Sequence, residues 1–320
     1  MKRTSLLIFL CLAFAGTMAQ LPPNSAFTEK EVTLQTATGQ LHGLLTISQQ
    51  TPKTPLVIIV AGSGPTDRDG NNPMGVKAST YKMLAEDLAE LGISALRFDK
   101  RGIAKSAGAM VSESELRFDH YIEDVMAWVE KLQLYPQFSQ IIVAGHSEGS
   151  LLGMVAARRA GADGFISIAG PGRPINQILE EQLQNAPQSM KEEINKVMKS
   201  LKSGETVENV SMALFSLFRP SVQPYLINWM QYDPAVEIAR LNIPVLIVQG
   251  STDLQVPQTD AKLLAQAKPE AQIAIFETMN HVLKDAKADP AANLATYSDS
   301  TLPLTKGLVE VIAEFIMYNK

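Results

Sequence analysis

The residues best suited to chemistry lie in a short stretch near the middle of the chain, where Gly145-His146-Ser147-Glu148-Gly149 forms a G-x-S-x-G pentapeptide. An apolar run from Ile141 to Ala144 precedes it, and a segment of helical character follows. A strand that turns sharply into a helix at a serine exposes the hydroxyl to substrate. Glycines flank the serine because a side chain would crowd so tight a turn. The alternative is a small-residue turn with an incidental serine.

A nucleophilic serine needs a general base, because its hydroxyl reacts poorly at neutral pH. The chain has four histidines. His42 falls in a predicted hairpin and His120 in a predicted helix. His146 adjoins Ser147 and is expected to point elsewhere and to pack against neighbouring strands. His281 follows a predicted strand, and groups after strand ends converge on one crevice in open α/β sheets. We therefore predict His281 as the base.

The base in turn needs a carboxylate that orients it. Asp253 comes directly after the predicted strand Val245–Gln249. Taken alone, an aspartate in such a loop is typical of a turn. The order Ser147, Asp253, His281 is nevertheless that of a catalytic triad built on an α/β sheet.

Acyl transfer also requires donors for the oxyanion of the tetrahedral intermediate. The backbone N–H of Glu148, which follows the serine, is one candidate. The N–H of Ser63 is the other, because Gly62 and Gly64 on either side allow the backbone to approach a substrate closely. Neither a P-loop nor a dinucleotide-binding motif is present, so a phosphate cofactor is not predicted.

The elements that must position these groups alternate between apolar runs and helical periodicity, which predicts a mostly parallel sheet covered by helices on both faces. A hairpin of Glu31–Ala37 and Leu41–Ile47 leads into it. The predicted strands that follow are Leu56–Val60, Ile93–Phe98, Ile141–Ala144, Gly164–Ala169, Val245–Gln249 and Ala271–Phe276.

Residues 170–241 break this rhythm, because they contain no apolar strand run. Helical segments are predicted at Ile175–Leu183, Gln188–Leu201 and Val207–Phe218. We interpret the region as a helical cap or lid inserted in the domain. Its methionine and aromatic residues either pack against the body or line a pocket above the serine, and the sequence leaves both open.

Composition and the N-terminal residues limit the classes of protein to which the chain can belong. With 320 residues, of which 46% are hydrophobic, the chain can bury a large core, and a net charge of -5 gives no reason to expect nucleic acid. Residues 1–19 read as a signal peptide, with Lys2 and Arg3 before the apolar stretch Ser5–Ala15 and a small-residue cleavage site. We expect a single domain over 20–320, exported to the periplasm or secreted.

The apolar stretch is shorter than the roughly 20 residues of a membrane span, so no stable span is expected. A lipoprotein is the alternative, because the only cysteine, Cys11, lies in this stretch. With a signal peptide cleaved near Ala19, by contrast, the mature chain has no cysteine and therefore no disulfides. Without H-E-x-x-H or a cysteine–histidine cluster, neither metal nor other cofactor is predicted. The oligomeric state is left open.

Taken together, the motifs resemble bacterial α/β-hydrolases of the serine aminopeptidase-like and monoglyceride-lipase-like branch. The resemblance implies the α/β-hydrolase fold and covers nearly everything after residue 19. Ala61 departs from it, since many relatives carry histidine there. The segments that carry it are Gly62-Ser63-Gly64-Pro65, Asp99-Lys100-Arg101-Gly102, the pentapeptide, Gly250-Ser251-Thr252-Asp253 and Asn280-His281.

Asp67-Arg68-Asp69 resembles esterase members of this branch more than peptidase members. Asp67 and Arg68, with Gly62 and Gly64, are candidates for contact with substrate, although a loop staple is the favoured role for the Asp67-Arg68-Asp69 run. Asp99 and Arg101 are expected to form a local ion pair.

The leading hypothesis is a hydrolase of small-molecule carboxylic esters. An aminopeptidase with the same triad is the alternative, and it needs a buried carboxylate near the serine. An acyltransferase and a binding protein without turnover are further alternatives. For the aminopeptidase, the cap offers four candidate carboxylates, which are Glu180, Glu181, Glu192 and Glu193. Their helical neighbours indicate that these side chains face solvent.

Overall fold

Eight strands form one sheet in the order β1-β2-β4-β3-β5-β6-β7-β8 in the computed structural model, which describes residues 26–319. The predicted signal peptide at 1–19 lies outside the described residues. All neighbours from β4 to β8 pair in parallel, whereas β1 and β2 form an antiparallel hairpin that joins β4. The strands are β1 (Phe27–Thr36), β2 (Gly39–Ser48), β3 (Thr54–Val60), β4 (Ser94–Phe98), β5 (Phe138–His146), β6 (Gly164–Ile168), β7 (Val245–Gly250) and β8 (Gln272–Phe276).

The central strands are apolar along their length because helices cover both faces of the sheet. Side chains alternate between the faces along a strand, so in β3 Leu56 and Ile58 belong to one core and Val57 and Ile59 to the other. The predicted α/β class with a mostly parallel sheet is confirmed. The helices are α1 (Thr80–Glu90), α2 (Phe118–Gln133), α3 (Glu148–Ala160), α4 (Ile175–Leu183), α5 (Gln188–Lys202), α6 (Phe215–Phe218), α7 (Gln223–Trp229), α8 (Pro234–Ala239), α9 (Gln258–Ala267), α10 (Pro290–Ala295) and α11 (Leu308–Tyr318).

Helices α4 to α8 occupy the region between β6 and β7. Helices α4 to α7 pack around an apolar cluster of their own, in which Val197, Leu201 and Phe218 are buried, whereas Ile238 of α8 belongs to the core of the main body. The prediction of a helix over Val207–Phe218 is wrong for most of its length, because only α6 is helical there. The side chain of Gln223 bonds the N–H and the carbonyl oxygen of Val207 at 2.6 and 2.8 Å, which satisfies that backbone without a helix.

No helix within residues 26–319 combines the length and the apolar character needed to cross a membrane. Over the same range, no group of three or more histidine, cysteine, aspartate or glutamate side chains is placed to hold a metal ion.

Candidate functional site

Ser147 occupies the predicted sharp turn between β5 and α3. Its backbone has φ 55° and ψ −125°, a conformation that residues with side chains rarely adopt. A Cβ on Gly145 would lie 2.1 Å from the carbonyl oxygen of Gly149, and one on Gly149 would lie 2.3 Å from that of Val60. Both flanking glycines are therefore required by the packing of the turn.

The structure brings His281 and Asp253 together at the carboxyl ends of the strands. His281 Nδ1 donates a hydrogen bond of 2.8 Å to Asp253 Oδ2, and the aspartate side chain is fully buried. His281 and Ser147 line the same cavity. Because Nδ1 donates to Asp253, Nε2 is the ring nitrogen left to accept a proton.

The carboxylate of Asp253 is held by several donors. Its Oδ1 accepts the backbone N–H groups of Gln255 and Val256 at 2.8 and 2.9 Å. Burial by itself would raise the pKa of Asp253, but the attraction and hydrogen bond of His281, together with these N–H groups, bring the pKa below its ordinary value. Asp253 is thus an anion at neutral pH and stabilises a positive charge on the histidine.

Asn280 shapes the loop that carries His281. It is completely buried, and its Oδ1 accepts the N–H groups of Val282 and Lys284 at 3.2 and 3.1 Å. Its amide group donates to Thr296 Oγ1 at 2.7 Å. In the sequence Asn280 is visible only as the neighbour of His281, because Thr296, which holds its amide group, lies 16 residues further along the chain.

His146 lies in the site itself. The prediction that it packs away from the serine is wrong, since its ring lines the cavity shared by Ser147 and His281. Its Nδ1 lies 2.8 Å from Tyr81 Oη and its Nε2 lies 2.8 Å from the carbonyl oxygen of His281. Burial, together with the nearby His281, lowers the pKa of His146 to about 3, so this ring is neutral at pH 7. Sequence reasoning missed Tyr81, whose position in α1 has no motif around it.

Gly62 and Ser63 form the loop after β3 and lie against the serine. A Cβ on Gly62 would lie 3.0 Å from Ser147 Cβ. The Gly62 N–H donates to Tyr81 Oη at 3.2 Å, and its carbonyl oxygen accepts Lys100 Nζ at 2.5 Å. Ser63 lines the same cavity as Ser147. The loop is therefore fixed from both sides of Gly62.

Glu148, the residue after the serine, is buried beside Lys100. The carboxylate Oε1 lies 3.6 Å from Lys100 Nζ, and Tyr225 supplies a hydrogen bond to the same carboxyl group. Burial raises the pKa of Glu148, an effect that Lys100 and Tyr225 partly offset, and burial lowers the pKa of Lys100. The two groups together carry no net charge when both are ionised.

Two cavities meet at Ser147, Ser63 and Gln255. The first cavity contains His281 and is rich in uncharged polar side chains, which are Thr66, Asn72, Thr80, Gln255 and Tyr297. The second cavity has an apolar wall made of Pro171, Ile175, Ile178, Trp229 and Val256. Arg173 also lines it, but its guanidinium is paired with Asp260 at 2.8 Å and with Glu181.

The remaining candidates for substrate contact, Asp67, Arg68 and Gly64, lie outside the lining of both cavities. Arg68 forms ion pairs with Asp99 at 2.9 Å and with Glu31 at 3.0 Å. Asp67 Oδ1 accepts the backbone N–H groups of residues 69 and 71, both at 2.9 Å. Gly64 has φ 74°, which favours glycine for backbone reasons. The Asp67–Arg68 segment is therefore a loop staple.

The expected ion pair between Asp99 and Arg101 is wrong as well, because Arg101 pairs with Asp124 at 2.6 Å. The candidate carboxylates for an ammonium group also lie elsewhere, since none of the four lines either cavity. Two of them are occupied by ion pairs, Glu180 with Lys202 and Glu181 with Arg173.

Comparison with known proteins places this chain in a family. The family model described as serine aminopeptidase, S33 matches residues 73–237, half of the chain, which includes Ser147 and ends before Asp253 and His281. Esterase EstD of Thermotoga maritima is 30% identical over 276 residues, which are 81% of this chain and 60% of EstD. The chain thus spans about 60% of the length of that relative.

Solved structures share the fold at low sequence identity. Est1E of Butyrivibrio proteoclasticus, with ferulic acid bound, superposes with a TM-score of 0.59 at 20% identity, over 90% of this chain and 98% of Est1E. The α/β hydrolase GrgF of Penicillium sp. sh18 gives 0.60 at 19% identity, over 91% of this chain and 99% of GrgF. The protein has the α/β-hydrolase fold and belongs to the serine aminopeptidase S33 family.

Proposed function

We propose that the protein is an exported serine hydrolase that cleaves carboxylic esters through an acyl-serine intermediate. The observation that carries the proposal is the 2.8 Å bond from His281 to the buried Asp253, in a cavity that Ser147 shares. The names of two similar proteins agree with it, because EstD is an esterase and Est1E was solved with ferulic acid.

In the proposed reaction, His281 Nε2 takes the proton of the Ser147 hydroxyl while Oγ attacks the ester carbonyl carbon. The backbone N–H groups of Ser63 and Glu148 stabilise the resulting oxyanion. The C–O bond to the alcohol then breaks, and His281 returns its proton to the departing oxygen. Water, deprotonated by the same ring, attacks the acyl carbon, the bond from that carbon to Ser147 Oγ breaks, and His281 returns the proton to Oγ as the acid is released. Asp253 holds the ring in its orientation throughout.

The position of His281 orients the substrate. The leaving oxygen must lie within reach of His281, which lines the first cavity and not the second. The alcohol therefore occupies the first cavity, whose uncharged polar walls suit a neutral, hydroxyl-bearing group. The acyl group occupies the apolar second cavity. Since Ile175, Ile178 and Trp229 of its wall come from residues 170–241, this segment acts as the cap.

An aminopeptidase with the same triad is the second candidate, because the matching family is described by that activity. It requires a free negative charge for the substrate's ammonium. Glu148 is buried and lines the second cavity, but Lys100, at 3.6 Å, already balances its charge. The geometry therefore favours esters. Parallel assays on aminoacyl amides and acyl esters separate the two, and added alcohol acceptors reveal acyl transfer.

Export is proposed from the residue pattern at 1–19, and cell fractionation with sequencing of the mature N-terminus tests it.

The proposed hydrolase activity is tested with p-nitrophenyl esters from acetate to decanoate. We expect turnover by the wild type, nearly none by Ser147→Ala, and wild-type rates for Ser139→Ala, which alters an exposed serine on the same strand. Equal rates for Ser147→Ala and the wild type would refute the assignment of the nucleophile.

A further inference from the structure

A continuous chain of hydrogen bonds joins the two loops that flank Ser147. It begins at the N–H of Gly62, which bonds Tyr81 Oη at 3.2 Å. Tyr81 Oη in turn lies 2.8 Å from His146 Nδ1. The other ring nitrogen, Nε2, lies 2.8 Å from the carbonyl oxygen of His281. One end of the chain is thus the residue before Ser63 and the other is the backbone of the proposed base.

The direction of each bond in this chain is fixed by its ends. A backbone N–H can only donate, so Tyr81 Oη accepts from Gly62 and gives its single proton to His146 Nδ1. The imidazole then carries its own proton on Nε2. That proton is donated to the carbonyl oxygen of His281, which can only accept. Every donor and acceptor along the chain is matched.

Burial keeps the side chains of Tyr81 and His146 uncharged. Tyr81 is 4% exposed and His146 is 7% exposed. Burial raises the pKa of Tyr81 above its ordinary value and lowers the pKa of His146 to about 3. The rings also pack, with centroids 5.6 Å apart for Tyr81 and His146 and 4.7 Å apart for His146 and His281. The bond directions therefore persist across the neutral pH range.

We propose that Tyr81 and His146 are positioning residues, which set the spacing between the oxyanion-binding loop at Gly62–Ser63 and the base His281. The inference rests on the proposed ester hydrolysis. In the transition state an oxyanion donor and the base act on groups attached to the same carbon, and small displacements of either raise the barrier steeply. Neither Tyr81 nor His146 takes part in bond making or proton transfer.

Substitutions at the two side chains of this hydrogen-bonded series test the role. Tyr81→Phe keeps the ring and removes only the hydroxyl, which leaves the Gly62 N–H and His146 Nδ1 unpaired. His146→Leu removes both ends of the imidazole bridge. His146→Gln is the conservative variant, because its amide N–H₂ can reach the His281 carbonyl from about the position of Nε2.

We expect Tyr81→Phe and His146→Leu to lower kcat by about 10- to 100-fold, the effect of one or two hydrogen bonds on a barrier. KM should stay within about twofold, because the chain supports groups that act mainly in the transition state. The rate at which a fluorophosphonate labels Ser147 should fall in parallel. His146→Gln should recover at least about half of the loss on a logarithmic scale.

Ser94→Ala is the matched control. Its hydroxyl is completely buried and has two partners, Thr54 Oγ1 at 2.7 Å and the Ser48 N–H at 3.1 Å. Because Ser94 begins β4, at the end of the sheet away from Ser147, its loss should lower stability and leave kcat unchanged.

The inference is overturned if Tyr81→Phe retains the wild-type kcat, or if its kcat falls no more than that of Ser94→Ala for the same loss of stability. Tyr81→Phe decides the matter even where His146→Leu does not fold. Failure of the proposed function looks different, because then the wild type hydrolyses no ester or Ser147→Ala is fully active.

Discussion

The ammonium group of Lys100 lies 3.6 Å from the carboxylate of Glu148, and both side chains are at most 5% exposed. Lys100 also donates to the carbonyl oxygen of Gly62 at 2.5 Å and lies over the ring of Tyr121, 5.1 Å from its centroid. The pair therefore connects the turn after β4 to the turn at Ser147 and to the loop after β3. Stability and site geometry depend on the same buried charges.

Removing one partner of the Lys100–Glu148 pair should lower the stability of the protein. Lys100→Met leaves the Glu148 carboxylate buried without its counter-charge, and we expect the free energy of unfolding to fall by about 3–5 kcal/mol. Urea denaturation measures this. The double variant with Glu148→Gln should be more stable than Lys100→Met alone. Lys105→Met, which removes an exposed ion pair with Glu31, should cost less than about 1 kcal/mol. Equal losses for Lys100→Met and Lys105→Met would contradict the prediction.

Asp253→Asn tests the orienting role of the carboxylate. The amide can offer N–H₂ to His281 Nδ1 and so favour the wrong tautomer, and in serine proteases with this arrangement such a change lowers kcat by about 10⁴-fold. We expect a loss of similar order, measured on a short acyl ester. Asp233→Asn is the control, because Asp233 caps α8 by accepting the N–H of Ala235 at 2.9 Å and asparagine caps equally well. Wild-type kcat for Asp253→Asn would exclude Asp253 from the triad.

The strands and the sharp turn at Ser147 were predictable from the sequence because their signals are local. Apolar runs mark buried strands, and the two glycines around Ser147 are demanded by contacts within a few residues or with the adjacent strand. Asp253 and His281 could be found because each follows a strand of a parallel sheet, where loops meet.

The residues that hold the site in place through hydrogen bonds could not be predicted in this way. Tyr81 and His146 are 65 residues apart in the chain, and His146 is 135 residues from the carbonyl it bonds. A side-chain pair at such separations leaves no periodic pattern. Arg68 shows the same limit, because its buried ion pair with Asp99 joins residues 31 positions apart, whereas the sequence suggested Arg101 as the partner of Asp99.

The pKa of His146 predicts how stability depends on pH. Its folded-state pKa is about 3, against an ordinary value of 6.5. Between these two pH values the unfolded chain binds a proton at His146 that the folded protein does not bind. The contribution of the neutral ring to the free energy of unfolding is therefore complete above pH 6.5 and is lost as pH falls towards 3. The slope should approach about 1.4 kcal/mol per pH unit well below 6.5. Urea denaturation at several pH values should show a shallower slope in His146→Gln, and identical slopes would contradict the prediction.

Ile178→Trp tests the assignment of the acyl group to the second cavity. The larger side chain fills space beside Trp229 and Val256, so long acyl chains should lose their site while acetate retains its own. Displacing about two CH₂ groups costs roughly 1.6 kcal/mol, so the rate on decanoate relative to acetate should fall at least about tenfold. Val236→Trp adds the same bulk at an exposed position on α8 and should leave the ratio unchanged. If Ile178→Trp instead changes the preference among alcohols at constant acyl length, the second cavity holds the alcohol and the proposed orientation is reversed.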